Sequence, residues 1–274
     1  ARAAYRTESR SDRSGQVKNK MSKTVLAVGA HPDDVEFGCA GTLALLADRG
    51  YEIHIAVMAG GELGSATLPP QQVREKRLKE GAASADVLGA RFTCAGGYDA
   101  EIEYNADYRR RAICLVRKAR PDIVFTHAPT DYMIDHEETS RLVRHACFIS
   151  AVPNCDCGEP LPPAPCVPHL YYWDATGRCD IYGRPLPLTM GVDISSKLPV
   201  KERMLACHAS QRDWLRHHHN IDHYIENMKV TVAERGELFG FAAAEGFIQH
   251  LGSGYPRDNI VESVLGDLCR KPLA

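Results

Sequence analysis

At 274 residues, with hydrophobic residues at 44% and charged residues at 25%, the chain has an ordinary globular composition and enough length for one large core. Its 33 basic and 35 acidic residues leave a formal charge of −2, which gives no electrostatic case for nucleic acid or another polyanion as partner. No apolar run approaches the roughly 18 residues of a spanning helix, so the sequence offers no membrane partner either.

Residues 1–20, "ARAAYRTESRSDRSGQVKNK", are polar, basic and aperiodic, and lack the apolar stretch of a signal peptide. They read as a disordered or expression-derived leader, with residues 21–274 as a single domain. "TVLAVGA" (24–30) is an apolar, β-branched run expected to be a buried parallel strand. A helix is expected from Gly38 to Arg49, a strand over 52–59, and a helix over 71–89 after the loop "GGELGSATLPP". "RFTC" follows as a short strand, then a helix over about residues 105–120, a strand at "DIVFTHA" (122–128), and a helix over 136–149.

After Ser150 the pattern is less regular. Residues 151–168 are rich in Pro and Cys and read as an inserted loop near the cleft, with Cys155, Cys157 and Cys166 as incidental or redox-active thiols. A Cys-x-Cys with one later Cys falls short of a structural zinc site. The other cysteines sit mostly singly in apolar segments, as reduced thiols do, so a cytoplasmic setting is expected. "HLYYWDA" and "TMGVDI" read as strands, and 195–227 as one or two helices. The alternation β-α-β-α-β-α-β-α with short connections predicts an α/β fold: a Rossmann-like, mainly parallel sheet with helices on both faces and an elaborated C-terminal part.

Ligands of such sheets bind at the carboxyl ends of the strands. That end collects residues 30–36, 59–66 and 127–136, so His31, Asp33, Asp34, Glu62, His127, Asp131, Asp135 and His136 are expected around one cleft. His31 and Asp34 lie three apart in a proline-stiffened turn, and His136 opens the helix after the fourth strand. Two imidazoles and a carboxylate suit zinc, with iron or another divalent metal also open. Asp33 is left beside the metal, where a general base belongs. The same residues also fit plain structural roles: His-Pro-Asp-Asp as a turn and helix cap, and Asp135 as the cap of the next helix.

"VGAHPDDVEFGCAGTLA" resembles the opening motif of the PIG-L or LmbE-like family of zinc-dependent N-acetylglucosaminyl deacetylases. "AGGELG", "REKRLKEGAASADVLGA", "DYMIDHEETSRLV", "VDISSKLPVKERMLACHASQ" and "AAEGF" resemble its later segments, in order, over most of residues 24–250. The resemblance implies one zinc ion on His31, Asp34 and His136, and Asp33 as general base. It implies substrate binding by Arg77, for which a buried salt bridge is the competing role, and places Glu62 on a pocket loop. Asp135 is expected to orient a neighbour.

There is one departure. Where most members read His-Pro-Asp-His, this chain reads Met133, Ile134, Asp135 and His136, and a methionine cannot polarise an amide. His208 is the first candidate to replace it and His127 the second; each also fits a satisfied core histidine. The triplet at 217–219 and His223 read as a polar helix face.

The expected activity is hydrolysis of an N-acetyl group from a small-molecule glycoside. The whole sequence looks most like antibiotic-pathway members acting on a teicoplanin-type glycopeptide, whose apolar aglycone would suit the 151–168 insert with Tyr171, Tyr172 and Trp173. Small-thiol and aminoglycoside precursors, an inactive zinc-containing sugar-binding protein, and a metal phosphoesterase are the competing functions. Oligomeric state is not written in the sequence.

Overall fold

The computed structural model describes residues 23–212, 214 and 224–273. The expectations for residues 1–20, 217–219 and 223 lie outside these. The first half runs β1 (Thr24–Gly29), α1 (Asp34–Asp48), β2 (Glu52–Ala59), α2 (Pro70–Asp86), β3 (Arg91–Gly97), α3 (Ala106–Ala119), β4 (Ile123–Thr126), α4 (Ile134–Ile149) and β5 (His169–Trp173). The second half adds β6 (Met190–Asp193), α5 (Leu198–Ala206), α6 (Tyr224–Phe239), β7 (Ala244–Gln249), α7 (Ile260–Leu265) and β8 (Cys269–Arg270). All strands join one sheet in the order β3-β2-β1-β4-β5-β7-β6-β8. The pairings from β3 to β5 are parallel, and those among β5, β7, β6 and β8 are antiparallel. The mainly parallel α/β sheet is therefore as expected.

Strand β1 lies between β2 and β4 and is buried throughout, which is why its sequence is continuously apolar rather than alternating. Val25 and Ala27 face a core built with α1, α5, α6 and α7, while Leu26 and Val28 face a second core built with α3 and α4. Helix α1 starts at Asp34, four residues before the expected Gly38. Asp33 takes a positive φ of 104°, and its carbonyl accepts from the Phe37 N–H at 3.0 Å, so the chain enters the helix directly from the turn. Helix α3 matches expectation because Asn105 caps the Tyr108 N–H at 3.0 Å and Arg120 closes it in the left-handed region.

Two expectations are corrected. Tyr171, Tyr172 and Trp173 are core residues, none more than 3% exposed, and present no open apolar surface to an aglycone. The 151–168 segment joins the end of α4 to the start of β5, so it lies at the amino ends of the parallel strands, away from the expected cleft. There Arg117 donates to the Ser150 and Val152 carbonyls, and Arg120 to that of Pro163. All ten cysteines are free. Among the described residues, no helix is long and apolar enough to cross a membrane.

The two halves are joined inside α1. The Gly41 and Thr42 N–H groups donate to the two oxygens of Glu245 on β7, at 2.9 and 2.7 Å. Lys201 on α5 donates to the Phe37 carbonyl and to Glu245, at 2.7 and 2.6 Å, with both side chains fully buried. Removing one member strands the other charge in an apolar core, which costs about 3–5 kcal/mol. Lys201→Met is therefore expected to lower unfolding free energy by about that amount in a urea titration. A midpoint within error of the parent would show that the pair does not join the halves.

Candidate metal centre

Helix-leading loops at the ends of β1, β2, β3 and β4 deliver the polar residues to one point. The His31 Nε2 lies 3.0 Å from both Asp99 Oδ1 and Asp135 Oδ2. Its Nδ1 is turned towards Asp34 Oδ2, at 3.7 Å. His136 Nε2 lies 3.4 Å from Asp34 Oδ1, and its Nδ1 lies 3.1 Å from Asp131 Oδ1. Thus Asp34 sits between two imidazoles whose far nitrogens are each held by other carboxylates. One ligand atom from each of His31, Asp34 and His136 falls within a common 4.8 Å.

Those carboxylates are themselves fixed. Asp135 accepts from the Ala100 N–H at 2.8 Å, Asp99 from the Leu63 N–H at 3.1 Å, and Asp131 from the Thr176 N–H at 3.2 Å. Two further groupings, His127 with Asp131 and His136, and His31 with Asp99 and Asp135, also bring ligand atoms close. Their carboxylates are engaged by backbone donors and ring nitrogens, as Asp34 is by the His31 N–H at 2.7 Å, so the donor types and their orientation separate the three sets. The His31–Asp34–His136 set has the donor chemistry of a divalent N/O site and leaves imidazole nitrogens facing one carboxylate, so it fits the metal best.

Burial sets the electrostatics and the neighbours decide the sign. Burial alone would lower the His31 pKa, but Asp135, Asp99 and Asp34 raise it to about 9. Burial likewise opposes the charge on His136, yet Asp34 and Asp131 raise its pKa to about 10. Asp34 is pushed up by burial and pulled well below the usual carboxylate range by His136 and His127. Asp33 is raised, chiefly by burial, against the opposing Arg77 charge. His127 is pushed down to about 4 by burial and by His136, so it is neutral at pH 7.

Of the remaining expected site residues, Asp33 is held rather than free: Arg77 Nη2 donates to Oδ1 at 3.3 Å and Tyr224 Oη to Oδ2 at 2.5 Å. Arg77 also donates to the Pro32 and Gly61 carbonyls, passing over Gly61 at a positive φ where no side chain would fit. Glu62 Oε1 accepts from Arg74 at 2.7 Å, and its buried Oε2 has no partner among the described residues.

His208 Nε2 lies 3.1 Å from Glu36 Oε1, buried beside Asp33, whose charge it feels. His127 Nε2 accepts from the Ala30 N–H at 3.0 Å and also lies 3.1 Å from Asp34 Oδ2. One nitrogen cannot accept from Ala30 and donate to Asp34. With the Ala30 N–H as the donor to Nε2, the neutral ring carries its proton on Nδ1; with Nε2–H donating to Asp34, Nδ1 is bare. In either tautomer Nδ1 is buried and has no partner among the described residues. His127 stacks on His136 at 4.0 Å, and with Asp34 and Trp173 it lines a cavity of about 140 Å³.

Met133 precedes α4 and supplies no polar group. Asp99 and Tyr224 escaped the sequence. The third strand runs three residues beyond its expected end and so carries Asp99 into the cluster.

Residues 26–147 match the family described as PIG-L: GlcNAc-PI de-N-acetylase. Diacetylchitobiose deacetylase of Thermococcus kodakarensis is 29% identical over 195 residues, 69% of this chain and 70% of that protein. 4-Oxalmesaconate hydratase of Pseudomonas putida is 28% identical over 56% of this chain and 62% of its own length. The solved N,N'-diacetylchitobiose deacetylase of Pyrococcus horikoshii superposes with a TM-score of 0.69 at 25% identity, covering 84% of this chain and 85% of that one. A teicoplanin deacetylase structure shares the fold at a TM-score of 0.58 and 14% identity, covering 84% of this chain and 100% of that one.

The raised imidazole pKa values link metal, protons and stability. In the metal-free protein His31 and His136 hold protons that the unfolded chain has lost above its pKa of 6.5. Their stabilisation is complete below about 6.5 and is lost as pH rises through about 9 and 10. The chelated protein is therefore expected to lose thermal stability across that window. Metal uptake near neutral pH should release ~2 protons, measured by titration calorimetry in buffers of different ionisation enthalpy. Uptake without proton release would contradict the ligand set.

Proposed function

The chain carries a PIG-L family domain and is a metal-dependent enzyme of that family, and from this premise we propose that it is a zinc hydrolase removing the N-acetyl group from an N-acetylglucosaminyl sugar. The observation that carries the proposal is the pairing of a two-histidine, one-carboxylate set with a separate carboxylate, Asp33, one residue from Asp34 and outside that set. A divalent ion held there supplies Lewis acidity and lowers the pKa of a water towards about 7. Asp33 takes the proton from the attacking water; each of its oxygens keeps an acceptor site beyond those used by Arg77 and Tyr224. In the tautomer that accepts from Ala30, His127 Nδ1–H, buried and without a partner among the described residues, donates to the acyl oxygen in place of the histidine that Met133 replaces. His208, opposed by burial but kept protonated by Glu36, returns a proton to the departing amine nitrogen. Asp135 holds His31 in place, and Arg77 and Glu62 border the sugar. Ten free cysteines agree with a cytoplasmic setting.

The acceptor is the finer question. A glycopeptide carrying the sugar draws support from the fold shared with teicoplanin deacetylase. Exposed Leu63, Tyr98 and Tyr132, on the loops that follow β2, β3 and β4, and Ile134 at the start of α4 offer its aglycone the apolar face that the 151–168 segment does not. The similarity to a hydratase gives a second reaction, addition of water to an activated double bond, from the same base and the same ion.

One experiment separates these readings. Zinc-loaded protein is offered chitobiose, thiol-precursor, aminoglycoside and glycopeptide N-acetyl sugars, with loss of one acetyl group read by mass spectrometry. Acetyl loss is expected, and Asp33→Asn should keep zinc while lowering kcat about 10²- to 10⁴-fold. Zinc without acetyl loss from any acceptor would favour the hydratase or the binding protein. Full activity in Asp33→Asn would remove the base assignment.

A further inference from the structure

Asp33 occupies a backbone conformation that a non-glycine residue holds only under constraint, with φ at 104°. Three hydrogen bonds constrain it. Its carbonyl receives the Phe37 N–H at 3.0 Å, its Oδ1 receives Arg77, and its Oδ2 receives the Tyr224 hydroxyl. The two side-chain bonds are unequal. Arg77 shares its guanidinium among the Gly61 and Pro32 carbonyls and Asp33, at 3.0, 2.7 and 3.3 Å, so Asp33 receives the longest of the three. Tyr224 gives its only donor to Asp33 at 2.5 Å, the short distance expected of a hydroxyl on a carboxylate.

The position of that hydroxyl is fixed from behind. Tyr224 is the first residue of α6, its ring lies in the main core, and it packs against the Phe37 ring with centroids 5.8 Å apart. Phe37 belongs to α1, which Asp33 leads into, so ring and carboxylate are referenced to the same helix. Burial and the nearby Asp33 charge keep the phenol protonated, as a donor must be.

We propose that Tyr224 is the positioning residue for Asp33: its hydroxyl turns Oδ2 towards α6, which holds the carboxylate out of the ligand set and aims its free acceptor sites at the attacking water. This rests on the proposed role of Asp33 as base. Tyr224 touches neither substrate nor metal and exchanges no proton in the reaction.

The test compares Tyr224→Phe with a protein carrying 3-fluorotyrosine at position 224, each checked for zinc content and melting temperature. Tyr224→Phe should lower kcat about 10- to 100-fold with KM unchanged, while fluorotyrosine, which keeps ring and donor, restores most of the rate. A structural role alone would move melting temperature, zinc content and KM together. A second readout needs no turnover: the Asp33 carboxyl carbon resonance in metal-free protein, assigned through Asp33→Asn, should shift in Tyr224→Phe. Wild-type kcat in Tyr224→Phe, with Asp33→Asn inactive, would overturn the inference and leave the base intact. Turnover in Asp33→Asn would instead remove the base itself, and the carboxyl resonance would still report whether Tyr224 orients Asp33. An unshifted resonance overturns the inference in either case.

Discussion

Five aspartates and three histidines meet in a largely buried cluster beside a small cavity, and the rest of the molecule is arranged around the cost of that meeting. Asp33, Asp99, Asp131 and Asp135 are buried and Asp34 is mostly so, and their formal charge exceeds what Arg77 supplies. An unpaired carboxylate in such surroundings is strongly disfavoured. The remaining positive charge comes from protons on His31 and His136 or from a divalent ion that displaces them. Because the fold holds those imidazoles with carboxylates on their far nitrogens, it favours whichever cation arrives at Asp34. Metal affinity is in this sense a property of the buried charge balance before it is a property of three ligands.

The parallel part of the sheet makes the meeting possible. Loops following β1, β3 and β4 each supply side chains to it, and backbone N–H groups from Leu63, Ala100 and Thr176 pin the supporting carboxylates. The antiparallel part contributes at a distance. Its β7 sends Glu245 into α1, and α6 sends Tyr224 to Asp33, so the helix bearing the His-Pro-Asp-Asp turn is gripped at both its start and its middle.

What the sequence made legible follows from the range of the interactions. The proposed ligand set is carried by two short segments, each at the carboxyl end of an apolar run, and both the spacing of His31 and Asp34 and the position of His136 are local properties. The parallel strands announced themselves because burial on both faces makes their sequences continuously apolar. Asp99 was hidden because β3 continues through a glycine pair that reads as a turn. Tyr224 was hidden because nothing in "NIDHYIENM" signals a residue aimed 191 positions back along the chain. Strand β7 was missed for a similar reason: it lies between β5 and β6 in space though it follows β6 in sequence. The Pro- and Cys-rich loop was assigned to the wrong end, since composition marks a loop without saying which edge of the sheet it crosses.

The central claim is that one divalent ion sits on His31, Asp34 and His136 with Asp33 outside its ligand set. Crystals of zinc-loaded protein measured on both sides of the zinc absorption edge test it directly. The account predicts a single anomalous peak bounded by the His31 Nδ1, the Asp34 carboxylate and the His136 Nε2, with Asp33 still bonded to Tyr224. A peak coordinated by Asp33, or one seated among His31, Asp99 and Asp135, would contradict it.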